Sequence, residues 1–142
     1  MKKIGITLSG IVIMSLLACS GNSNPEATTE QITQQQEVVV DVTVEQFKTL
    51  IVEQGGTVLD VRTPEEWAEG TIANAQKINY FDESFATQVE SLDKTAPVFV
   101  YCKAGGRSAS AAQVLKDKGF SKIYNLDGGI TAWAAAGNET VK

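Results

Sequence analysis

Short apolar runs alternate with amphipathic segments along most of this chain, from about residue 38 towards its end. The apolar runs are rich in β-branched residues, which is typical of strands buried on both faces of a sheet. They predict five strands, at residues 38–40, 57–61, 76–78, 97–101 and 123–125.

Between these runs, apolar residues recur at three- and four-residue spacing, which predicts helices. The first begins at Thr43, because Gln46 three residues later completes a capping-box pattern. A brief second helix begins at Thr63, where proline follows and glutamates fill the first turn. Three more helices are predicted at residues 81–92, 106–118 and 129–136. Strands that alternate with helices indicate an α/β domain built on a parallel sheet.

The first part of the chain does not follow this alternation. Residues 1–18 combine a basic start with a short apolar stretch and a small residue before Cys19, which predicts a secretory signal peptide. The stretch that ends at Cys19 resembles the lipobox of bacterial lipoproteins, and this resemblance implies cleavage before Cys19 and a lipid on its sulfur. An ordinary signal peptide followed by an incidental cysteine is the alternative.

Residues 19–37 are rich in Gln, Thr, Ser, Asn and Glu, and we expect them to form a disordered tether. The folded domain then occupies residues 38–142. A lipidated Cys19 places that domain in the cell envelope, anchored outside the cytoplasm by its acyl chains alone. Ser20 resembles the residue that follows the lipidated cysteine in lipoproteins sorted to an outer membrane, which implies the periplasmic face of that membrane where the organism has one.

The charge and composition of the chain narrow the classes of partner. Its 142 residues carry a formal net charge of −5, which argues against nucleic acid and anionic membrane surfaces as partners. Histidine is absent, and the cysteines and carboxylates have no metal-site spacing, so we expect no metal or cofactor. The two arginines, Arg62 and Arg107, both fall within motifs that bear on function.

One stretch has the composition of a reactive-thiol site. An apolar run over residues 98–101 ends at Cys102, four loop residues follow, and Arg107 and Ser108 open an alanine-rich helix. Backbone N–H groups of such a turn, together with a helix N-terminus, favour an anion. Cys102 is therefore a candidate nucleophile, because these groups stabilise its thiolate. A small buried hydrophobe at the end of a strand is the alternative interpretation.

The stretch from Cys102 to Ser108 reads CKAGGRS and resembles the active-site loop of the rhodanese, or sulfurtransferase, family, in which four residues separate the cysteine from an arginine. Other segments resemble family motifs in the same order, and the resemblance covers residues 38–137. These other segments are Asp60-Val61-Arg62, Glu65-Glu66-Trp67, Gly70-Thr71-Ile72, Leu126-Asp127-Gly128-Gly129 and Trp133. This resemblance implies a rhodanese-like fold, a parallel five-stranded sheet flanked by helices on both faces.

The resemblance also implies an activity. Cys102 would take sulfane sulfur from a small anion such as thiosulfate, carry it as a persulfide, and pass it to cyanide, a thiol or a protein cysteine. The substrate-binding loop would consist of Lys103, Ala104, Gly105, Gly106, Arg107 and Ser108. Asp60 and Arg62 would support the region around that loop. Thr71 departs from the family pattern, since a histidine often stands there, and Asn74 stands where glycine is common.

Two other functions fit parts of the pattern. Cell-cycle dual-specificity phosphatases share the implied fold, but their cysteine and arginine lie one residue further apart. The shorter loop of this chain favours a single sulfur atom over a tetrahedral phosphate. The second alternative is a non-catalytic binding or redox-sensing module at the cell envelope, because a lone thiol outside the cytoplasm is prone to oxidation.

Overall fold

The structure of the protein, a computed structural model, describes residues 37–142. The strands are β1 Val39–Val42, β2 Thr57–Asp60, β3 Gln76–Lys77, β4 Val98–Tyr101 and β5 Ile123–Leu126. The helices are α1 Val44–Gln54, α2 Pro64–Glu69, α3 Phe85–Gln88, α4 Gly106–Asp117 and α5 Gly129–Ala135. The predicted signal peptide, Cys19 and the tether up to residue 36 lie outside the described residues.

The five strands form one parallel sheet in the order β1-β5-β4-β2-β3. Strand β4 lies at its centre, with Val100 paired to Leu59 of β2 on one side and to Asn125 of β5 on the other. All four residues of β4 are buried, as the continuous apolar run indicated. The prediction of a five-stranded parallel sheet with flanking helices is confirmed.

The alternation of side chains along β4 divides the core into two layers. Val98, Val100 and then Cys102 face the layer that contains α3 and α4. Phe99 and Tyr101 face the opposite layer, which contains α1 and α5. Residue parity along the central strand therefore directs the Cys102 side chain towards helix α4.

The start of α1 follows the predicted capping box. The Gln46 backbone N–H donates to Thr43 Oγ1 at 3.3 Å, and the Thr43 N–H donates to Gln46 Oε1 at 3.0 Å. These two bonds satisfy backbone donors that the helix itself leaves without partners. Helix α1 then places Phe47 in the layer beside Phe99.

The helix predicted over residues 81–92 is wrong in its first part. Asn79 Oδ1 accepts the Phe81 N–H at 3.0 Å, and Asn79 Nδ2 donates to Asp82 Oδ1 at 3.2 Å. Such local side-chain bonds compete with helix formation, so the chain makes a turn there. Helix α3 starts only at Phe85, and a short 3₁₀ helix, Val89–Ser91, follows it.

No helix between residues 37 and 142 is both long enough and apolar enough to cross a membrane.

Candidate active site

Cys102 directly follows the central strand, and the residue is only 2% exposed. It packs in the α4 layer of the core, yet its sulfur is not surrounded by hydrocarbon alone. The Gly105 N–H donates to Cys102 Sγ at 3.1 Å. The Ser108 hydroxyl lies 3.4 Å from Sγ and 3.1 Å from the Gly105 carbonyl oxygen. The loop thus folds back over the sulfur and supplies it with hydrogen-bond donors.

These donors determine the acidity of the thiol. Burial alone raises the pKa of Cys102, but hydrogen bonds from the Ser108 hydroxyl and from the amides of Ser108, Gly105 and Ala104 lower it by more. The pKa of Cys102 therefore lies below its ordinary value. Because the thiolate is the nucleophilic form, this environment favours attack by sulfur at a lower pH than for a free cysteine.

Glycine at position 105 allows the loop to close. Gly105 has a φ of +104° and precedes the first residue of α4. A side chain is strained in that conformation, whereas glycine adopts it readily. The conformation points the Gly105 N–H at the sulfur, while Lys103, Ala104 and Gly106 are exposed on the loop surface.

Arg107 does not hydrogen-bond the sulfur. Its Nη1 and Nη2 donate to Glu66 Oε2 and Oε1 of helix α2, at 2.6 Å and 2.7 Å. The Arg107 side chain is 21% exposed and that of Glu66 is 18% exposed. Arg107 lowers the pKa of Glu66 to about 2, so the carboxylate is ionised at neutral pH. This ion pair ties the first turn of α4 to α2.

Asp60 and Arg62 form a second ion pair, which is almost completely buried. Arg62 Nε donates to Asp60 Oδ1 at 2.9 Å, and Arg62 Nη2 donates to Asp60 Oδ2 at 2.7 Å and to the Gly70 carbonyl at 2.7 Å. The Tyr101 hydroxyl also donates to Asp60 Oδ2 at 2.7 Å. Since Tyr101 is the residue before Cys102, this network holds the end of β4 in place from the layer opposite the thiol.

The start of helix α5 braces the loop from the other side, a role that was not predicted from the sequence. The N–H groups of Ile130 and Thr131 donate to the carbonyls of Cys102 and Lys103 at 2.9 Å and 3.1 Å. A Cβ on Gly129 would overlap the Cys102 carbonyl oxygen, and the φ of Gly129 is +56°. Two adjacent glycines at the start of this helix were the available signal, since both have a positive φ and a Cβ on either would collide with a neighbour.

The two residues that depart from the family pattern have defined places in the structure. Thr71 pairs with Val141 in an isolated antiparallel bridge, with N–H···O bonds of 2.8 Å in both directions. Asn74 has a φ of +61°, the left-handed conformation that asparagine tolerates better than most residues. The turn that a glycine would make is therefore preserved.

A cavity of about 240 Å³ lies beside the loop, and Lys103 is one of its lining residues. Arg62, Glu66 and Thr131 also contribute to its walls. Within the part of the chain that the structure describes, no group of three His, Cys, Asp or Glu side chains could hold a metal ion. The groups assembled around Cys102 are hydrogen-bond donors and fixed charges, which suit covalent chemistry on sulfur.

Comparisons with a family model and with known sequences point to the same family. Residues 43–136 match the family described as Rhodanese-like domain. A protein of Pseudomonas fluorescens strain SBW25 named thiosulfate sulfurtransferase GlpE is 41% identical over 81 residues, which are 57% of this chain and 72% of that protein. A protein of the same name from Pseudomonas putida strain F1 is 37% identical over 91 residues, 64% of this chain and 81% of the relative.

Solved structures agree with this match. A rhodanese-related protein from Thermoplasma volcanium superposes with a TM-score of 0.64 at 29% identity, over 72% of this chain and 97% of that one. A rhodanese-like domain protein from Staphylococcus aureus gives a TM-score of 0.62 at 30% identity, over 72% of this chain and 99% of that one. The fold that the sequence resemblance implied is confirmed.

Proposed function

The chain belongs to the rhodanese-like domain family, and we propose that, as a rhodanese-type sulfurtransferase, it moves sulfane sulfur through a persulfide on Cys102. The observation that carries this proposal is the set of donors on the Cys102 sulfur, the Gly105 N–H at 3.1 Å and the Ser108 hydroxyl at 3.4 Å. They stabilise the thiolate in a site where burial alone would suppress it.

The first half-reaction loads the enzyme. The Cys102 thiolate attacks the outer sulfur of a donor such as thiosulfate, and a new bond forms between that sulfur and Sγ. The sulfur–sulfur bond of thiosulfate breaks, and sulfite leaves with the electron pair. The negative charge stays on the transferred sulfur, so the enzyme holds a persulfide anion and charge is conserved.

The loop is suited to that anion. The first N–H groups of helix α4 have no carbonyl partner within the helix, and the helix dipole adds partial positive charge at this end. Preorganised donors of this kind stabilise charge that develops on a reacting atom, each contributing about 3 kcal/mol in well-studied oxyanion holes. The loop residues 103–108 therefore supply the electrostatic part of catalysis.

The two cations of the loop have different roles in this proposal. Lys103 is exposed and forms part of the wall of the adjacent cavity, so it attracts a dianionic donor towards the loop. Arg107 is held by Glu66 through two hydrogen bonds and therefore acts on loop position rather than on the donor. Asp60 and Arg62 position the end of the central strand.

The decisive experiment is intact-mass spectrometry after treatment with thiosulfate and removal of excess reagent. We expect a gain of one sulfur atom, lost again when cyanide is added, and no gain in Cys102→Ala. Ser108→Ala is a graded control, because loss of its hydroxyl should move the pH dependence of loading to higher pH. A protein that never gains the sulfur contradicts the enzyme proposal and leaves the binding or redox-sensing module.

The phosphatase alternative has less support. Cys102 is 2% exposed under a loop with four residues between cysteine and arginine, which leaves little space for a tetrahedral phosphate. The phosphatase alternative would regain support if the protein hydrolysed an aryl phosphate and Cys102→Ser abolished that activity.

We also propose that the protein is a lipoprotein. It would consist of a signal peptide at residues 1–18, a tether at residues 19–37 with a lipid on Cys19, and the folded domain at residues 38–142. The basis is the sequence pattern that ends at Cys19. Detergent phase partitioning of the protein expressed in a bacterial host tests it. The wild-type chain should enter the detergent phase, whereas Cys19→Ser should stay in the aqueous phase. Equal partitioning of both forms contradicts the lipid anchor and leaves an ordinary signal peptide with an incidental cysteine.

A further inference from the structure

The turn at residues 79–84 presents an aromatic ring to solvent. Phe81 is 64% exposed, one of three large hydrophobic side chains that are exposed among residues 37–142. The turn is ordered by its own hydrogen bonds, from the Phe81 N–H to Asn79 Oδ1 at 3.0 Å and from the Phe85 N–H to the Asp82 carbonyl at 2.9 Å. The ring is thus held outside the core by a defined turn.

This ring lies at the edge of the active-site loop. The guanidinium carbon of Arg107 is 5.6 Å from the centroid of the Phe81 ring, within the range of a cation–π contact. Arg107 is the second residue of α4, and Ser108, which contacts the sulfur, follows it directly. An exposed apolar ring therefore stands beside the residues that surround Cys102.

A small anionic donor does not explain this ring. Thiosulfate is recognised by N–H groups and cations, which the loop supplies, and an aromatic face offers it nothing. Aromatic side chains, phenylalanine included, are enriched at protein interfaces relative to the rest of the protein surface. The two residues after Phe81, Asp82 and Glu83, are exposed and acidic. The turn consequently combines an apolar anchor with negative charge.

We propose that Phe81, Asp82 and Glu83, named here the acidic aromatic turn, dock a protein acceptor whose reactive cysteine has an apolar and a basic neighbour. This inference rests on the proposed sulfurtransferase function and identifies its acceptor class. Charge complementarity supports it, because a lysine or arginine beside the acceptor cysteine pairs with the turn. The same cation lowers the pKa of the acceptor thiol and so supplies the thiolate that the second half-reaction needs.

The second half-reaction balances without any further reactant. The acceptor thiolate attacks the outer sulfur of the Cys102 persulfide and forms a sulfur–sulfur bond. The bond between that sulfur and Sγ breaks, and Cys102 leaves as a thiolate. The acceptor becomes the persulfide anion. The total charge is the same before and after the step, and the transfer needs no oxidant.

The test starts from protein already loaded with sulfur, whose mass confirms the first half-reaction. Three acceptors are compared, a peptide with leucine and lysine beside its cysteine, the same peptide with glutamate in place of lysine, and cyanide. Phe81→Ala should lower the transfer rate to the lysine peptide about tenfold relative to the rate to cyanide, the size expected for an interface anchor. Phe81→Leu should recover part of the loss because it keeps an apolar side chain.

Two further variants test the charge and the location. Glu83→Lys should reverse the preference between the lysine and glutamate peptides. Val52→Ala truncates a more exposed apolar residue, 86% exposed on helix α1 in the opposite layer, and should change none of the rates. If Phe81→Ala slows cyanide and peptide equally, or if Glu83→Lys leaves the peptide preference intact, the docking proposal is wrong. Failure to load sulfur at all instead contradicts the proposed function.

Discussion

The two arginines of the chain form two ion pairs of similar geometry in different surroundings. Arg62 and Asp60 are 3% and 0% exposed, and the Tyr101 hydroxyl and the Gly70 carbonyl complete their hydrogen bonds. Arg107 and Glu66 are 21% and 18% exposed, and the guanidinium lies against the solvent-exposed Phe81 ring. Each arginine binds both oxygens of its carboxylate, so contact geometry alone does not distinguish the pairs.

Burial and neighbours distinguish them. The Asp60 pair lies within the opposite layer from the thiol and fixes the end of the central strand, so it belongs to the framework. The Glu66 pair joins α2 to the first turn of α4, where Ser108 contacts the sulfur. A defect in the first pair should therefore reduce stability, whereas a defect in the second should act mainly on the loop.

The largest effect is expected from Arg62→Met. It leaves the Asp60 carboxylate buried without its counter-ion, and breaking a buried pair in this way costs about 3–5 kcal/mol. Urea unfolding at pH 7 measures the loss. The double variant Asp60→Asn with Arg62→Met should lose less than the sum of the two single variants, because no charge is then left alone. A loss below about 1 kcal/mol in Arg62→Met would contradict the framework role.

A smaller loss of stability is expected from Arg107→Met, about 1–2 kcal/mol, because water reaches the released Glu66 carboxylate. Its rate of persulfide formation with thiosulfate should nevertheless fall, because the first turn of α4 is no longer tied to α2. Mass spectrometry over time measures this rate in folded protein. Arg107→Lys is the matched control, since it keeps the charge but not the two-oxygen contact. If both variants load sulfur at the wild-type rate, the Arg107–Glu66 pair does not position the loop for catalysis.

Acid should weaken the Glu66 pair in a defined range of pH. The pKa of Glu66 is lowered from its ordinary value of 4.5 to about 2, so its contribution to stability is complete above about pH 4.5 and is lost as the pH falls towards 2. Thermal unfolding of wild type and Glu66→Gln between pH 2 and pH 7 tests the direction of this pH dependence. The stability difference between them should shrink with falling pH. A constant difference would mean that Glu66 does not titrate with this shift.

The smallest effect concerns salt. Raising ionic strength to about 1 M shortens the Debye length to about 3 Å, which screens a partly exposed pair more than an enclosed one. The stability loss of Arg107→Met should decrease by a few tenths of a kcal/mol, while that of Arg62→Met should not change. Repeating the urea unfolding at both salt concentrations gives the comparison, and equal salt dependence in the two variants would argue that the pairs are equally accessible.

Much of the candidate site could be predicted because its signals are local. The strand that ends at Cys102, the glycines of the loop and the capping box at Thr43 are set by neighbouring residues. The helix predicted over residues 81–92 failed because Asn79, outside the predicted segment, accepts the Phe81 N–H. The catalytic role of Cys102 and the roles of the loop residues stay predictions until the loading experiment is done.

The sequence by itself determined the order of strands and helices, the position of the thiol after an apolar strand, and the glycine-rich turn beside it. These properties depend on backbone preferences and hydrophobic spacing, which act over a few residues. Only the tertiary structure decided that Arg107 binds Glu66 and that the Ile130 N–H donates to the Cys102 carbonyl, at a close approach that Gly129 permits. Those partners are distant along the chain, and the packing of α2, α4 and α5 on the parallel sheet brings them together.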